Sequence, residues 1–244
     1  MIFDCFLYSG EMECLIIRMD ELQWFHPIHI CVQADKTFTN KPKEIKEFMR
    51  AGLHCVNVTD MPDGDDPWTR ERWQRNCILR GLEQCGANDD DFVIIADADE
   101  IPKAEAIKRY KPEMGICALI MDKFGYYLNC VEGFASWEIA KIMTYGRLKQ
   151  TTPDLVRNSG PDNKLENAGW HYSYLGGKDT IVRKLESFSH TECNRQELKD
   201  QLEYKIKTGQ SLWGSDFWEI IPIDERAPRF VQENKDLFKH LIHD

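Results

Sequence analysis

Residues 89 to 102 read Asp-Asp-Asp-Phe-Val-Ile-Ile-Ala-Asp-Ala-Asp-Glu-Ile-Pro. An apolar run from Phe92 to Ala96 ends abruptly in three carboxylates, Asp97, Asp99 and Glu100. Strand periodicity of two puts Asp97 and Asp99 on one side, with Ala98 opposite. Two carboxylates side by side repel unless a cation joins them. A hard divalent ion, Mn²⁺ or Mg²⁺, suits oxygen ligands and leaves positions open for substrate phosphates. Ligands of open α/β sheets bind outside the carboxyl ends of strands, and the small Ala96 and Ala98 would let one approach closely. The packing of the strand should not need these carboxylates. The plainer alternative is a solvated acidic turn that caps the next helix through Asp99 or Glu100. A phosphohydrolase with a D-x-D nucleophile is another metal-dependent option, although such sites usually end the first strand and continue into Thr or Val.

Other groups could join this chemistry. His171 follows Trp170 on an aromatic stretch, and imidazole is a good Mn²⁺ ligand; His190 is its rival. Arg72 and Arg75 stand one helical turn apart, and a forked guanidinium suits a diphosphate. Lys41 and Lys43, beside Pro42, offer loop contacts or a plain charged surface.

Positioning these groups requires strands and helices that the hydrophobic pattern partly defines. Short buried-type strands are expected at 28–32, 53–58 and 92–96. A helix over 68–85 is expected between the last two, with Trp73, Cys77, Ile78, Leu82 and Cys85 inward and Arg72, Arg75 and Arg80 nearer the other side. Asp66-Pro67 starts it and Gly86 stops it. Strand-helix-strand alternation of this length predicts a parallel α/β sheet with right-handed crossovers. Later, the pattern suggests helices at 103–110, 179–188, 195–208 and 228–242, and strands at 117–129, 141–148 and 168–175. With no internal repeat or low-complexity linker, residues 1–244 read as a single domain.

Composition narrows the class. With 244 residues and 42% hydrophobic content, the chain can bury a substantial core. Its net charge of -10 has the wrong sign for neutralising a phosphate backbone, so nucleic acid is not an expected partner. Nine scattered cysteines without a C-x-x-C pair read as buried thiols in a reducing compartment. The first residues carry Asp4, Glu11 and Glu13 and no basic segment, so neither a signal peptide nor a transmembrane segment is expected, and the reading is cytoplasmic.

The stretch from Asp91 to Pro102 resembles the central motif of glycosyltransferase family 17, the family of the enzyme that adds the bisecting N-acetylglucosamine to N-glycans. Other blocks keep the family's order: Asp4-Cys5-Phe6, Glu11-Met12-Glu13, Arg18 and Glu21-Leu22; Thr37-Phe38-Thr39 with Lys41-Pro42-Lys43; and Gly169-Trp170-His171-Tyr172-Ser173-Tyr174, followed by Lys184 and Ser187. The resemblance implies an α/β fold of the GT-A type, with a nucleotide-sugar half over about 1–110 and an acceptor half over about 111–244. It implies a UDP-sugar donor, foremost UDP-N-acetylglucosamine, a glycan acceptor, and a metal-assisted inverting transfer. The implied metal ligands are Asp97, Asp99 and His171, since GT-A enzymes commonly complete the site with a late His. Where the family usually has Glu after the first strand, this chain departs with Gln33-Ala34-Asp35; the expected nucleotide contacts are Asp35, Arg72, Arg75 and Asp97. An inverting transfer needs a separate base. Glu138, between the D-x-D and the late His, resembles the order of other inverting enzymes, with Asp216 and Glu132 as alternatives. Sugar faces pack on aromatic planes. Among the many aromatics of the second half, Phe134 included, Trp137, Trp213 and Trp218 are the candidates for an acceptor groove; the alternative from a different class is a non-catalytic sugar-binding protein of the same fold that uses these aromatics without turnover.

Overall fold

The computed structural model describes residues 1–243, except for the side chains of Phe134 and Ala135, so the candidate aromatic Phe134 lies outside the described residues. Four parallel strands make its first half: β1 (Ile2–Leu7), β2 (Ile28–Ala34), β3 (Leu53–Val58) and β4 (Phe92–Asp97), in the order β4-β1-β2-β3. Helix α1 (Met12–Leu22) connects β1 to β2, and helices α2 (Pro67–Asn76) and α3 (Ile78–Gln84) lie between β3 and β4. Beyond these run β5 (Glu100–Pro102), α4 (Ala104–Ile107), β6 (Cys117–Gly125), β7 (Cys130–Trp137), β8 (Lys141–Thr144), α5 (Tyr145–Leu148), α6 (Pro153–Asn158), β9 (Asn163–Ser173), α7 (Gly177–Ser187), α8 (Gln196–Thr208), β10 (Glu219–Ile220) and α9 (Arg229–Glu233).

The sheet is α/β, but it is mixed rather than parallel throughout. Antiparallel β8 pairs with β4 and carries it into β6, β7 and β10, while β9 runs parallel to β6 and antiparallel to β5. Alternation along β1 sends Phe3, Cys5 and Leu7 into a core with Ile78 and Leu82 of α3, and Phe6 into a core with Leu15 and Met19 of α1. Gly81 lets α3 lie close on the strands: a Cβ there would come 2.5 Å from Ile30 Cγ2 and 2.9 Å from Val56 Cγ2.

Several expected elements change. The helix over 68–85 divides at Cys77. Trp73 is 41% exposed, because α2 turns Arg70, Gln74 and Arg75 inward instead. Arg70 donates to the carbonyls of Phe38 and Gly64, Gln74 to that of Val32, and Arg75 to carboxylates, so this inward face is hydrogen-bonded rather than packed on apolar groups. The strand at 141–148 becomes helix after Thr144, where the Thr144 side chain caps α5. The strand at 117–129 ends at Gly125, and the helix at 228–242 is reduced to α9 and a single 3₁₀ turn at Lys239–Leu241. Strand β1 and helix α1 have no counterpart in the hydrophobic-pattern reading.

Candidate active site

Strand β4 stops at Asp97, Ala98 and Asp99 form a turn, and the chain resumes at Glu100 as β5, with Glu100 opposite His171 of β9. Asp99 therefore belongs to a turn and not to the strand, which corrects the same-side strand geometry. The turn is held from below by Arg18 of α1, which is fully buried. Its Nη1 donates to the carbonyls of Asp97 (3.0 Å) and Glu100 (2.7 Å). Asp4 of β1 grips the same guanidinium at two points, 2.7 and 2.5 Å, and also meets His29 Nδ1 at 2.7 Å. Burial pushes the Asp4 carboxyl up, but Arg18 and His29 outweigh it and hold it well below the usual range.

Glu100 locks the turn from within. Its Oε2 accepts the Asp97 N–H at 2.7 Å, its two oxygens take Arg157 of α6 at 2.7 and 2.8 Å, and the Trp137 indole N–H donates to Oε1. It does not cap the next helix. Lys103 is the N-cap residue of α4, and the Ala104 N–H goes to Glu21 Oε1 at 3.0 Å. The acidic turn is thus an internally bonded structure rather than a solvated cap.

Asp97 accepts from Arg75 Nη1 at 2.7 Å and from Arg157 Nη2 at 2.5 Å, one on each oxygen. These two guanidiniums override the upward pull of burial and keep the carboxyl ionised. The expectation that strand packing does not need Asp97 is therefore corrected, because two buried arginines depend on it. Asp99 is divided differently. Its Oδ2 receives Lys184 Nζ of α7 at 2.7 Å, while Oδ1 stands 3.8 Å from His171 Nε2, beyond hydrogen-bond length. Side-chain cations thus already compensate the paired carboxylates.

A divalent ion can be tested against this donor set. His171 is buried, its Nδ1 has no hydrogen-bond partner among the described residues, and Trp137 stacks on its ring at 4.2 Å. Burial pushes the imidazole below its ordinary value despite Asp99, favouring the neutral form that ligates metals. A buried imidazole whose Nδ1 has no hydrogen-bond partner among the described residues and whose Nε2 faces an Asp99 oxygen without bonding it fits an ion held by few protein ligands and completed by substrate and water. Asp97 would first have to release a guanidinium. Among the described residues, no three His, Cys, Asp or Glu side chains form a ready cage.

The remaining candidates scatter. Arg75 reaches the turn, but Arg72 points outward to Asp66 (3.2 Å), so the two do not form one diphosphate fork. Asp35 follows β2, and its Oδ1 is buried without a partner among the described residues. Glu138 pairs with Lys164 at 2.6 Å on the surface, and Asp216 lies exposed in the loop after α8, so neither is bonded to the acidic turn. Glu132 pairs with Lys123. His190 is exposed and bonded to Glu192. Lys41 is 3.8 Å from Glu186, whereas Lys43 reaches the carbonyl of Tyr8. Trp218 is buried against Tyr126, in core rather than groove.

Hydrophobic pattern and spacing passed over three groups. Arg157 gives no motif signal of its own. Lys184 and Glu11 appear only within the ordered blocks, without a role. Glu11, half-buried at the start of α1, accepts the Ser9 N–H at 2.7 Å and has no ion pair among the described residues. Burial raises its carboxyl, against the pull of nearby Lys184 and with the help of Asp99. The turn, with Lys184 bonded to it, Glu11 within electrostatic reach of Asp99 and Lys184, and arginines beneath, can hold an anionic ligand and take up a proton nearby.

No curated protein matches the chain. The family model for Glycosyltransferase family 17 matches residues 1–226, nearly the whole length. Those residues include the Asp97–Glu100 turn, His171, Lys184 and the strands and helices that hold them, and the chain belongs to glycosyltransferase family 17.

Proposed function

We propose that the protein transfers N-acetylglucosamine from UDP-N-acetylglucosamine to a hydroxyl of a glycan acceptor, with inversion at the anomeric carbon. The observation that carries this reading is the junction of Asp99, Lys184 and His171 at the carboxyl end of β4, in a chain of this family. Mn²⁺ or Mg²⁺, held by Asp99 and His171 and by Asp97 if a guanidinium gives way, would supply charge neutralisation to the leaving diphosphate. Lys184, 31% exposed, presents an ammonium to the same diphosphate, and Arg75 and Arg157 add positive field from behind. Asp35 and the end of β2 lie on the nucleotide side, in the half of about 1–110, and the half from about 111 faces the acceptor. The protein would work in the cytoplasm.

The acceptor hydroxyl must lose its proton to a carboxylate as it attacks the face opposite UDP. Glu11 is the best supplied for this, being half-buried, beside the turn and not ion-paired. Glu138 is tied to Lys164 and Asp216 sits in solvent, so each needs a rearrangement to serve. A phosphohydrolase is disfavoured because its nucleophile would be Asp97, whose oxygens both accept guanidinium bonds.

A panel of nucleotide sugars tested for Mn²⁺-dependent hydrolysis without acceptor decides the donor. UDP-N-acetylglucosamine should turn over fastest, and transfer from this α-linked donor should give a β-glycoside by NMR. Hydrolysis of simple phosphate esters with no nucleotide-sugar turnover would contradict the reading.

A further inference from the structure

The loop between α8 and β10 is held more firmly than covering the core requires. Trp218 and Leu212 are buried beneath it, and Trp218 lies on Gly125, where a Cβ would come 1.7 Å from the indole. The loop's upper part is fixed as well. The Ser211 N–H donates to the Asp216 carbonyl at 2.7 Å, Gln210 and Phe217 form a bridge, and the buried Lys205 ammonium donates to the carbonyls of Ser211 (2.8 Å) and Gly214 (3.3 Å). Burying an ammonium to pin a surface turn is costly. What the pinned turn presents is Trp213, 46% exposed.

Trp213 does not stand alone. Its ring meets Tyr174 edge-on at 6.0 Å and 66°. Tyr174 occupies the turn between β9 and α7 with φ of 59°, a left-handed conformation unusual for an aromatic residue. Lys184 Nζ lies 5.2 Å from the Tyr174 ring centroid and 2.7 Å from Asp99. Pairwise contacts therefore connect the buried Asp99 carboxylate, the Lys184 ammonium, the largely buried Tyr174 ring and the exposed Trp213 indole.

We propose that Trp213, backed by Tyr174, is the platform on which the acceptor sugar ring lies while its hydroxyl faces the Asp99 turn. Pyranose rings offer an apolar C–H face to a flat indole and hydroxyls to the phenol beside it, and a rigid aromatic spends little conformational entropy in binding. The acceptor is thus recognised by the face of a terminal pyranose. This inference rests on the glycosyl-transfer reading above.

The test uses the full chain with UDP and Mn²⁺, and methyl glycosides of glucose, galactose, mannose and N-acetylglucosamine as probes, followed by saturation-transfer NMR. At least one glycoside should receive saturation, strongest at the protons of one ring face. Trp213→Ala should weaken its binding at least tenfold, whereas Trp213→Phe, which keeps a flat ring, should stay within about threefold. Circular dichroism confirms that each variant is folded. The proposal is overturned if no glycoside binds the wild-type protein, or if Trp213→Ala binds as wild type, which would leave the indole to contact another protein. Calorimetry with UDP alone separates the two levels: failure of UDP to bind removes the nucleotide-sugar reading, whereas UDP binding without a Trp213 effect removes only the platform.

Discussion

Asp97 and Asp99 are identical side chains two residues apart, and their surroundings give them different work. Asp97 balances two buried arginines, so Asp97→Asn should lower the unfolding free energy by about 1–3 kcal/mol in urea titrations as well as reduce turnover. Asp99→Asn removes a single cation partner, Lys184, which is itself 31% exposed although Asp99 is buried, and should reduce turnover by orders of magnitude with the smaller effect on stability. His171→Ala should raise the Mn²⁺ concentration for half-maximal activity more than it changes acceptor affinity, since a lost ligand weakens the ion first. If His190→Ala did this and His171→Ala did not, the late-histidine assignment would move to His190. The acidic turn was legible because a buried strand ending in carboxylates is a local pattern. Arg157 and Lys184 were not, because they reach the turn from 60 and 85 residues away, and no spacing rule connects them to it.

Helix α2 shows where periodicity misleads. Its inward face carries Arg70, Gln74 and Arg75, so a hydrophobic stripe points the wrong way and leaves Trp73 outside. The cap, by contrast, was readable. Asp66 accepts the Trp68 N–H at 3.0 Å with Pro67 in the first turn, as a local N-cap rule requires. Asp66→Ala should therefore cost about 1 kcal/mol in urea unfolding. An unchanged midpoint would mean that tertiary bonds such as Arg75–Asp97 set the helix start instead. β1 escaped notice because Asp4 interrupts its apolar run; that aspartate is buried because Arg18 and His29 receive it, a partnership visible only once α1 and β2 are packed.

At the scale of the molecule, the α/β class followed from the spacing of the first strands and helices, while the antiparallel extension through β8, β6, β7 and β10 depends on pairings that no local pattern encodes. The buried Asp4–Arg18 pair joins β1 and α1 to the turn and links stability to pH. Since its folded value is depressed, Asp4 contributes stability fully above the ordinary carboxylate pKa of about 3.9 and loses it as pH falls through the lower folded value. The stability difference between wild type and Asp4→Asn should be constant above about pH 5 and shrink at lower pH, as read from denaturant titrations; a difference independent of pH would remove Asp4 from the linkage.

The proposed transfer depends most on a nucleotide diphosphate being received at the Asp99–Lys184–His171 junction. Isothermal titration of UDP into the wild-type protein, with Mn²⁺ and again with a chelator, tests this directly. Tighter binding with Mn²⁺, and loss of that advantage in Asp99→Asn, is the predicted result. Equal affinity under both conditions, or no binding of UDP at all, would contradict it.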